Sequence, residues 1–289
     1  MALVFLIPLV AQASSLNGGG IAGLNLPQID RPRPVAPRPR GIVFDWPTQT
    51  SHFRKCMDAA ESDPAGGLSD ARQWVKDAAR EHEIARAQAN VCLGSALSRQ
   101  GQWSAARAAF IAAHDATTDP LWRAQAGAMA GNAALAQGAA DDALPLLDAA
   151  LADARTASRP VLAGGIMVDR ARALVALGRQ VEAEPVLADA RAALPDDAQV
   201  WLLSATLSRR MNKLPEAQVQ IENAARLDPR DGEIGVEAGV IAMLSGHEDA
   251  ARKSWESVIK TSPDSDSGAR AKAYLAQIGP QTPAQTAGK

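Results

Sequence analysis

Side chains that do chemistry are scarce in this chain. Its 289 residues include four histidines, two cysteines and one tyrosine. The histidines, His52, His82, His114 and His247, are scattered, and no two share the spacing of metal ligands. Glu81-His82-Glu83 is the nearest approach to a cluster, but adjacent residues on a helix point apart, so it reads as a solvated face. No Gly-x-Ser-x-Gly elbow occurs. Gly18, Gly19 and Gly20 lack the lysine and following helix of a phosphate loop. The carboxylates read as exposed helix positions and helix starts. These absences leave no catalytic set, no metal site and no cofactor site, so a non-enzymatic protein is expected.

Other absences narrow the class further. Aromatic residues make up 4% of the chain and the formal net charge is −2. That balance lacks the basic excess that nucleic-acid binding uses. The apolar run Met1–Val10 is too short to span a bilayer as a stable anchor. Alanine, by contrast, is abundant. It is the best helix former, so an all-helical chain is expected.

The alanines are also placed. Gly178, Asn212 and Gly246 stand 34 residues apart, as do Ala183, Ala217 and Ala251, and as do Pro195, Pro229 and Pro263. Between them run Leu187, Ile221 and Trp255, then Ala190, Ala224 and Val258. Ala171, Ala205 and Gly239 sit near the front of each unit. A period of this size with small residues at fixed places marks a stacked helical array. Each unit reads as two helices. The Gly or Asn ends the first helix in a left-handed conformation. The small residues let the two helices approach. The proline ends the second helix, because it disfavours helix in the residue before it.

This pattern resembles the tetratricopeptide repeat family. Counted from Ala198, Trp201, Ala205, Ala217, Ile221, Ala224 and Pro229 fall on the family's fixed places. Ser204 and Ser208 depart from it, as do Ala238 and Ala242 in the next unit. The resemblance implies a right-handed α-solenoid that binds other proteins or peptides rather than catalysing reactions. Gly66, Gly101 and Gly138 extend the turn series upstream, which gives six units. They are placed near 52–86, 87–121, 124–157, 164–197, 198–231 and 232–265. The extra residues around 118–123 and 155–163 fit loops between units, or a longer second helix in the third unit. Pro145 and Pro185 are placed in the first turn of their helices, where a missing amide is harmless. Residues 266–279 read as a capping helix, and 280–289 as a disordered tail. The tryptophans read as packing residues.

The first 50 residues read differently. Ala11-Gln12-Ala13 after the apolar run is a signal-peptidase site, with cleavage after Ala13. An exported bacterial protein, periplasmic or secreted, is therefore expected; a cytosolic scaffold follows if the segment is retained. Residues 14–50 form a Pro-, Arg- and Gly-rich linker with Arg31-Pro32-Arg33-Pro34 and Arg38-Pro39-Arg40. It is either a spacer or a basic contact to the cell envelope, with Phe44 and Trp46 docking its end on the first repeat.

In the resembled family, peptides lie along the inner wall built by the first helices. The matching places here give Gln88, Arg99, Gln125, Asn132, Arg172, Thr206 and Arg209, with Asp169 three residues before Arg172. The family's lysine and asparagine clamp for a C-terminal carboxylate is missing, since Cys56 and Ala60 stand there. The expected function is thus a periplasmic or envelope scaffold for another protein. An accessory subunit of an envelope enzyme or assembly complex remains the alternative. Cys56 and Cys92 fall on neighbouring first helices, either as a disulfide, which an exported chain permits, or as two small buried thiols.

Overall fold

In the computed structural model, residues 49–279 are described. The expected signal, the expected linker with Phe44 and Trp46, and the expected tail lie outside them. The described residues form thirteen α-helices and no strand. They pair as hairpins: α1 (Ser51–Ser62) with α2 (Pro64–Ala78), α3 (Glu83–Arg99) with α4 (Trp103–Asp115), and α5 (Pro120–Ala136) with α6 (Ala140–Thr156). Next come α7 (Pro160–Ala176) with α8 (Gln180–Ala193), α9 (Ala198–Arg210) with α10 (Leu214–Leu227), and α11 (Gly232–Leu244) with α12 (Glu248–Thr261). A single helix, α13 (Asp266–Ile278), closes the array. This is an all-α solenoid of six hairpins and a cap.

The repeat residues do the work their spacing assigns to them. Gly101, Gly138, Gly178 and Gly246 adopt φ of 69°, 81°, 73° and 81°, and Asn212 adopts 59°. Each puts its own N–H and the next residue's onto carbonyls at the end of the preceding helix, as with Gly178 to Val175 and Arg179 to Leu174. These bonds satisfy carbonyls that a helix end would leave orphaned. At the other end of each settled unit, the residues before Pro195, Pro229 and Pro263 leave the helical region, with φ of −131°, −136° and −146°. Asp119, Asp197 and Asp231 then cap the next helices through backbone N–H groups.

Packing follows the same register. Ala171, Ala205, Ala183, Ala217 and Ala251 are buried at the crossing of each hairpin, and Leu187, Ile221 and Trp255 are buried between layers. Trp74, Trp122 and Trp255 are core residues, while Trp103 and Trp201 are half-buried. α13 covers the last hairpin: Tyr274 stacks on Trp255 with ring centroids 5.0 Å apart. Arg252, in α12, donates to the Gly279 carbonyl at 2.9 Å and fixes the end of the cap.

Four expectations need correction. Gly66 is not a turn residue; it lies in the first turn of α2. Pro64 breaks the chain two residues earlier, holding Asp63 at φ −136°, outside the α region. Asp63 then caps α2 through the N–H of Gly66. Of the two readings of the extra residues, loops do not hold, and the longer second helix of the third unit does, as α6. The extra residues lengthen α5, α6 and α7 to 17 residues each, so the third and fourth hairpins begin at Pro120 and Pro160 rather than at 124 and 164. Ser158, at φ 55°, makes the α6–α7 turn by the same bonding as the glycines elsewhere. Pro145 and Pro185 lie beyond the first turn, inside α6 and α8. Both are exposed. The carboxylates, finally, are not all exposed: Asp169 and Glu237 are buried.

Candidate functional site

The odd-numbered helices form one wall. α1 packs on α3, α3 on α5, α5 on α7, α9 on α11 and α11 on α13. The even-numbered helices cover its back. Polar contacts step along this wall from one odd helix to the next. Thr50, which caps α1, donates to Gln88 Oε1 at 2.8 Å. Gln199 Nε2 donates to Asp231 Oδ2 at 2.8 Å. The Ser267 hydroxyl donates to Glu233 Oε1 at 2.5 Å.

The sequence-derived groove residues divide along this line. Gln88 and Gln125 are buried, so neither presents an exposed donor; they belong to the interior of the wall. Arg99 is exposed and pairs with Glu61 of α1 at 3.2 Å. Thr206 and Asn132 are half-buried. Arg209 is only 16% exposed, because its Nε donates to Glu237 of α11 at 2.6 Å. That pair ties two neighbouring hairpins together. Glu237 was missed in the sequence because its place falls among apolar residues of α11 and no single-chain pattern marks a buried acid.

Asn132, Asp169 and Arg172 do come together. Arg172 Nη1 donates to Asp169 Oδ1 at 2.7 Å. Asn132, from the neighbouring α5, also hydrogen-bonds the Asp169 carboxylate. Asp169 is buried, and its side chain is 6% exposed against 47% for Arg172. Burial pushes the Asp169 carboxyl above the usual carboxylate range, with Arg172 and Asn132 pulling the other way. The arrangement places a guanidinium at the surface of the wall with one side fixed from below and the other side open. Such a group recognises carboxylates and carbonyl oxygens through paired, charge-assisted hydrogen bonds.

Near the N-terminal end, Cys56 and Cys92 form a disulfide with Cα atoms 6.1 Å apart, inside the range that bridged cysteines adopt. It staples α1 to α3. Among the described residues no group of three or more metal-ligating side chains converges, and no helix is long and apolar enough to cross a membrane.

Comparison with known proteins adds to this geometry. A tetratricopeptide repeat family model matches residues 134–207. No curated protein sequence matches the chain. Solved structures do match in fold. PilF from Pseudomonas aeruginosa has a TM-score of 0.62 at 12% identity, covering 78% of this chain and 96% of that one. BtubC (BKLC) from P. vanneervenii has a TM-score of 0.57 at 16% identity, covering 81% and 96%. YrrB, described as a TPR protein with an unusual peptide-binding site, has a TM-score of 0.53 at 21% identity, covering 70% and 99%. The matched stretch, which runs from the end of α5 into α9, is similar to the tetratricopeptide repeat family, and the hairpins on both sides repeat its turns and small-residue crossings.

Proposed function

We propose that this chain is a non-catalytic scaffold of the bacterial periplasm or cell envelope that holds a protein or peptide along its odd-helix wall. Proteins of this repeat family are in general interaction scaffolds. The observation that carries the finer reading is Arg172. It is a half-exposed guanidinium held by a buried carboxylate, and that carboxylate is in turn held by Asn132 of the neighbouring hairpin. Burying a carboxylate costs folding free energy, and stability alone gives no reason to keep one under an exposed arginine. A preorganised cation for a carboxylate- or carbonyl-bearing partner supplies the reason. The similar fold of YrrB, with its peptide-binding site, supports the same use of the wall. Thr206 and Arg209 of α9 would flank the bound segment.

Export is supported by Ala11-Gln12-Ala13 after the apolar run, and by a disulfide of the kind that persists in oxidising compartments. The reading is tested in two steps. N-terminal sequencing of the mature protein should begin at Ser14; an intact Met1 would overturn export. Pull-downs from envelope extract with wild-type protein and with Arg172→Ala should differ in a specific partner. If every captured protein is retained equally by the variant, the wall reading fails.

A further inference from the structure

Every hairpin runs in the same order, so the starts of the odd helices share one edge of the array with the ends of the even helices. On this edge lies a cleft of about 570 Å3, between the start of α7, the α8–α9 loop and the end of α10. It falls at a joint where the odd helices α7 and α9 are connected through α8 rather than packed closely on each other. Val161, Leu194 and Leu227 make its apolar lining, and Asp196, Asp197 and Asp228 its charged one; among the described residues no basic side chain lines it. Val161 is 63% exposed. The loop is held in place, because Trp201 Nε1 donates to the Pro195 carbonyl at 2.8 Å and Asp197 caps α9 through the Gln199 N–H. The cleft is thus preformed, apolar on one side and acidic on the other.

We infer that this cleft binds the chain's own basic, proline-rich stretch, residues 31–40, folded back in cis. The chemistry is complementary. Arg31-Pro32-Arg33-Pro34 and Arg38-Pro39-Arg40 carry only cationic and apolar side groups. A proline-rich strand presents its rings to an apolar groove at low entropic cost, because it has few conformations to lose. Its guanidinium groups meet Asp196 and Asp228 in paired hydrogen bonds. The geometry permits the return. Thr50, which caps α1, lies on the same edge as the cleft. Stacked odd helices spaced about 9 Å apart put the start of α7 roughly 30 Å from the start of α1. The residues between Arg40 and Thr50 reach about 30 Å when extended, and those from Arg31 about twice that. One of the two Arg-Pro runs fills the cleft; the other remains outside it.

The test uses the full chain with a photoreactive amino acid in place of Val161, whose exposure lets the fold tolerate the change; circular dichroism checks that it does. Crosslinked peptides are mapped by mass spectrometry in a mixture of isotope-labelled and unlabelled copies. The expected product joins position 161 to residues 31–40 of the same copy. Its yield falls about fivefold or more when Asp196→Asn and Asp228→Asn are combined, and likewise when Arg31, Arg33, Arg38 and Arg40 are all changed to Gln. Crosslinks between labelled and unlabelled copies would overturn the in-cis assignment in favour of a second copy. Crosslinks only to other residues, no crosslink, or a yield indifferent to both sets of charges would overturn the proposal outright.

Discussion

Arg172 Nη1 sits 2.7 Å from Asp169 Oδ1 across one turn of α7, and the two side chains differ sharply in exposure. The carboxylate is below the wall and the guanidinium is on it. Removing the arginine should therefore cost binding as well as folding. Asp169 is buried beneath a half-exposed Arg172, so removing the arginine leaves that carboxyl held by Asn132 alone and costs stability too. A charged hydrogen bond to a desolvated partner is worth about 1.5–3 kcal/mol. Arg172→Ala should weaken partner binding roughly tenfold or more when compared at a temperature where both proteins are folded, and should also lower Tm. Arg172→Lys should recover only part of the loss, because an ammonium cannot make the paired bonds. Unchanged affinity together with a Tm lowered by several degrees would make Arg172 structural.

Asp169 carries the opposite expectation. Its carboxyl is raised above the usual range chiefly by burial, so the native state holds the proton to a higher pH than the unfolded chain does. The contribution of this group to stability therefore falls as pH rises through the window from the ordinary aspartate range, about 4, to its folded value. Asp169→Asn keeps an acceptor for Arg172 and Asn132 and removes that penalty. The variant should melt no lower than wild type at neutral pH. Its advantage should shrink to nothing as pH drops below the ordinary aspartate range. Thermal melts of both proteins across acid to neutral pH check this; an advantage that grows in acid would show that pairing with Arg172 outweighs burial.

The hairpin register was legible because it rests on backbone demands that few residues meet. A left-handed turn selects Gly178, Asn212 and Gly246, and a pre-proline break selects the ends of α8, α10 and α12. Gly66 misled because Pro64 supplies a stronger stop two residues earlier. Ser158 was invisible because serine carries no preference for the φ it adopts. The longer helices α5 to α7 could not be told from loops, since alanine-rich sequence reads as helix wherever it falls. The wall was legible only as a set of places. Which members are exposed depends on partners in the next hairpin, and those contacts, Arg209 to Glu237 and Asn132 to Asp169, cross about a whole repeat of sequence.

The Cys56–Cys92 disulfide acts at the first hairpin of the described residues, joining α1 to α3. Their separation of 36 residues corresponds to about 4 kcal/mol of unfolded-state entropy by the loop-closure relation, as an upper value. Reduction, or Cys56→Ser with Cys92→Ser, should loosen α1 and α2 before the rest. Hydrogen exchange should then rise in residues 51–78 while the hairpins from α5 onward keep their protection. Thiol labelling of the native oxidised protein should find no free cysteine. Two reactive thiols, or equal exchange in both redox states, would remove the staple from the account.

Gly239 of α11 lies directly against Trp255 of α12. A Cβ built there would lie 2.1 Å from the Trp255 indole nitrogen. That indole is fully buried and donates to the Val236 carbonyl at 3.2 Å, so it is not a flexible end that can swing aside. Gly239→Ala brings a gain and a loss. In the middle of a helix the alanine is favoured by about 1 kcal/mol over glycine. Pushing a buried tryptophan out of its rotamer costs about 1–3 kcal/mol, and the shift also strains the hydrogen bond to Val236 and the stack of Trp255 on Tyr274. The loss should win: the variant should melt a few degrees lower, with the change concentrated in α11–α13. Gly239→Val adds a branched group to the same clash and should unfold the terminal hairpin locally. The measurement is a thermal melt followed by tryptophan fluorescence, paired with hydrogen exchange to locate the loss. If Gly239→Ala instead raises Tm, helix propensity outweighs the contact, and the small residue at this place is not required by the crossing of the two helices.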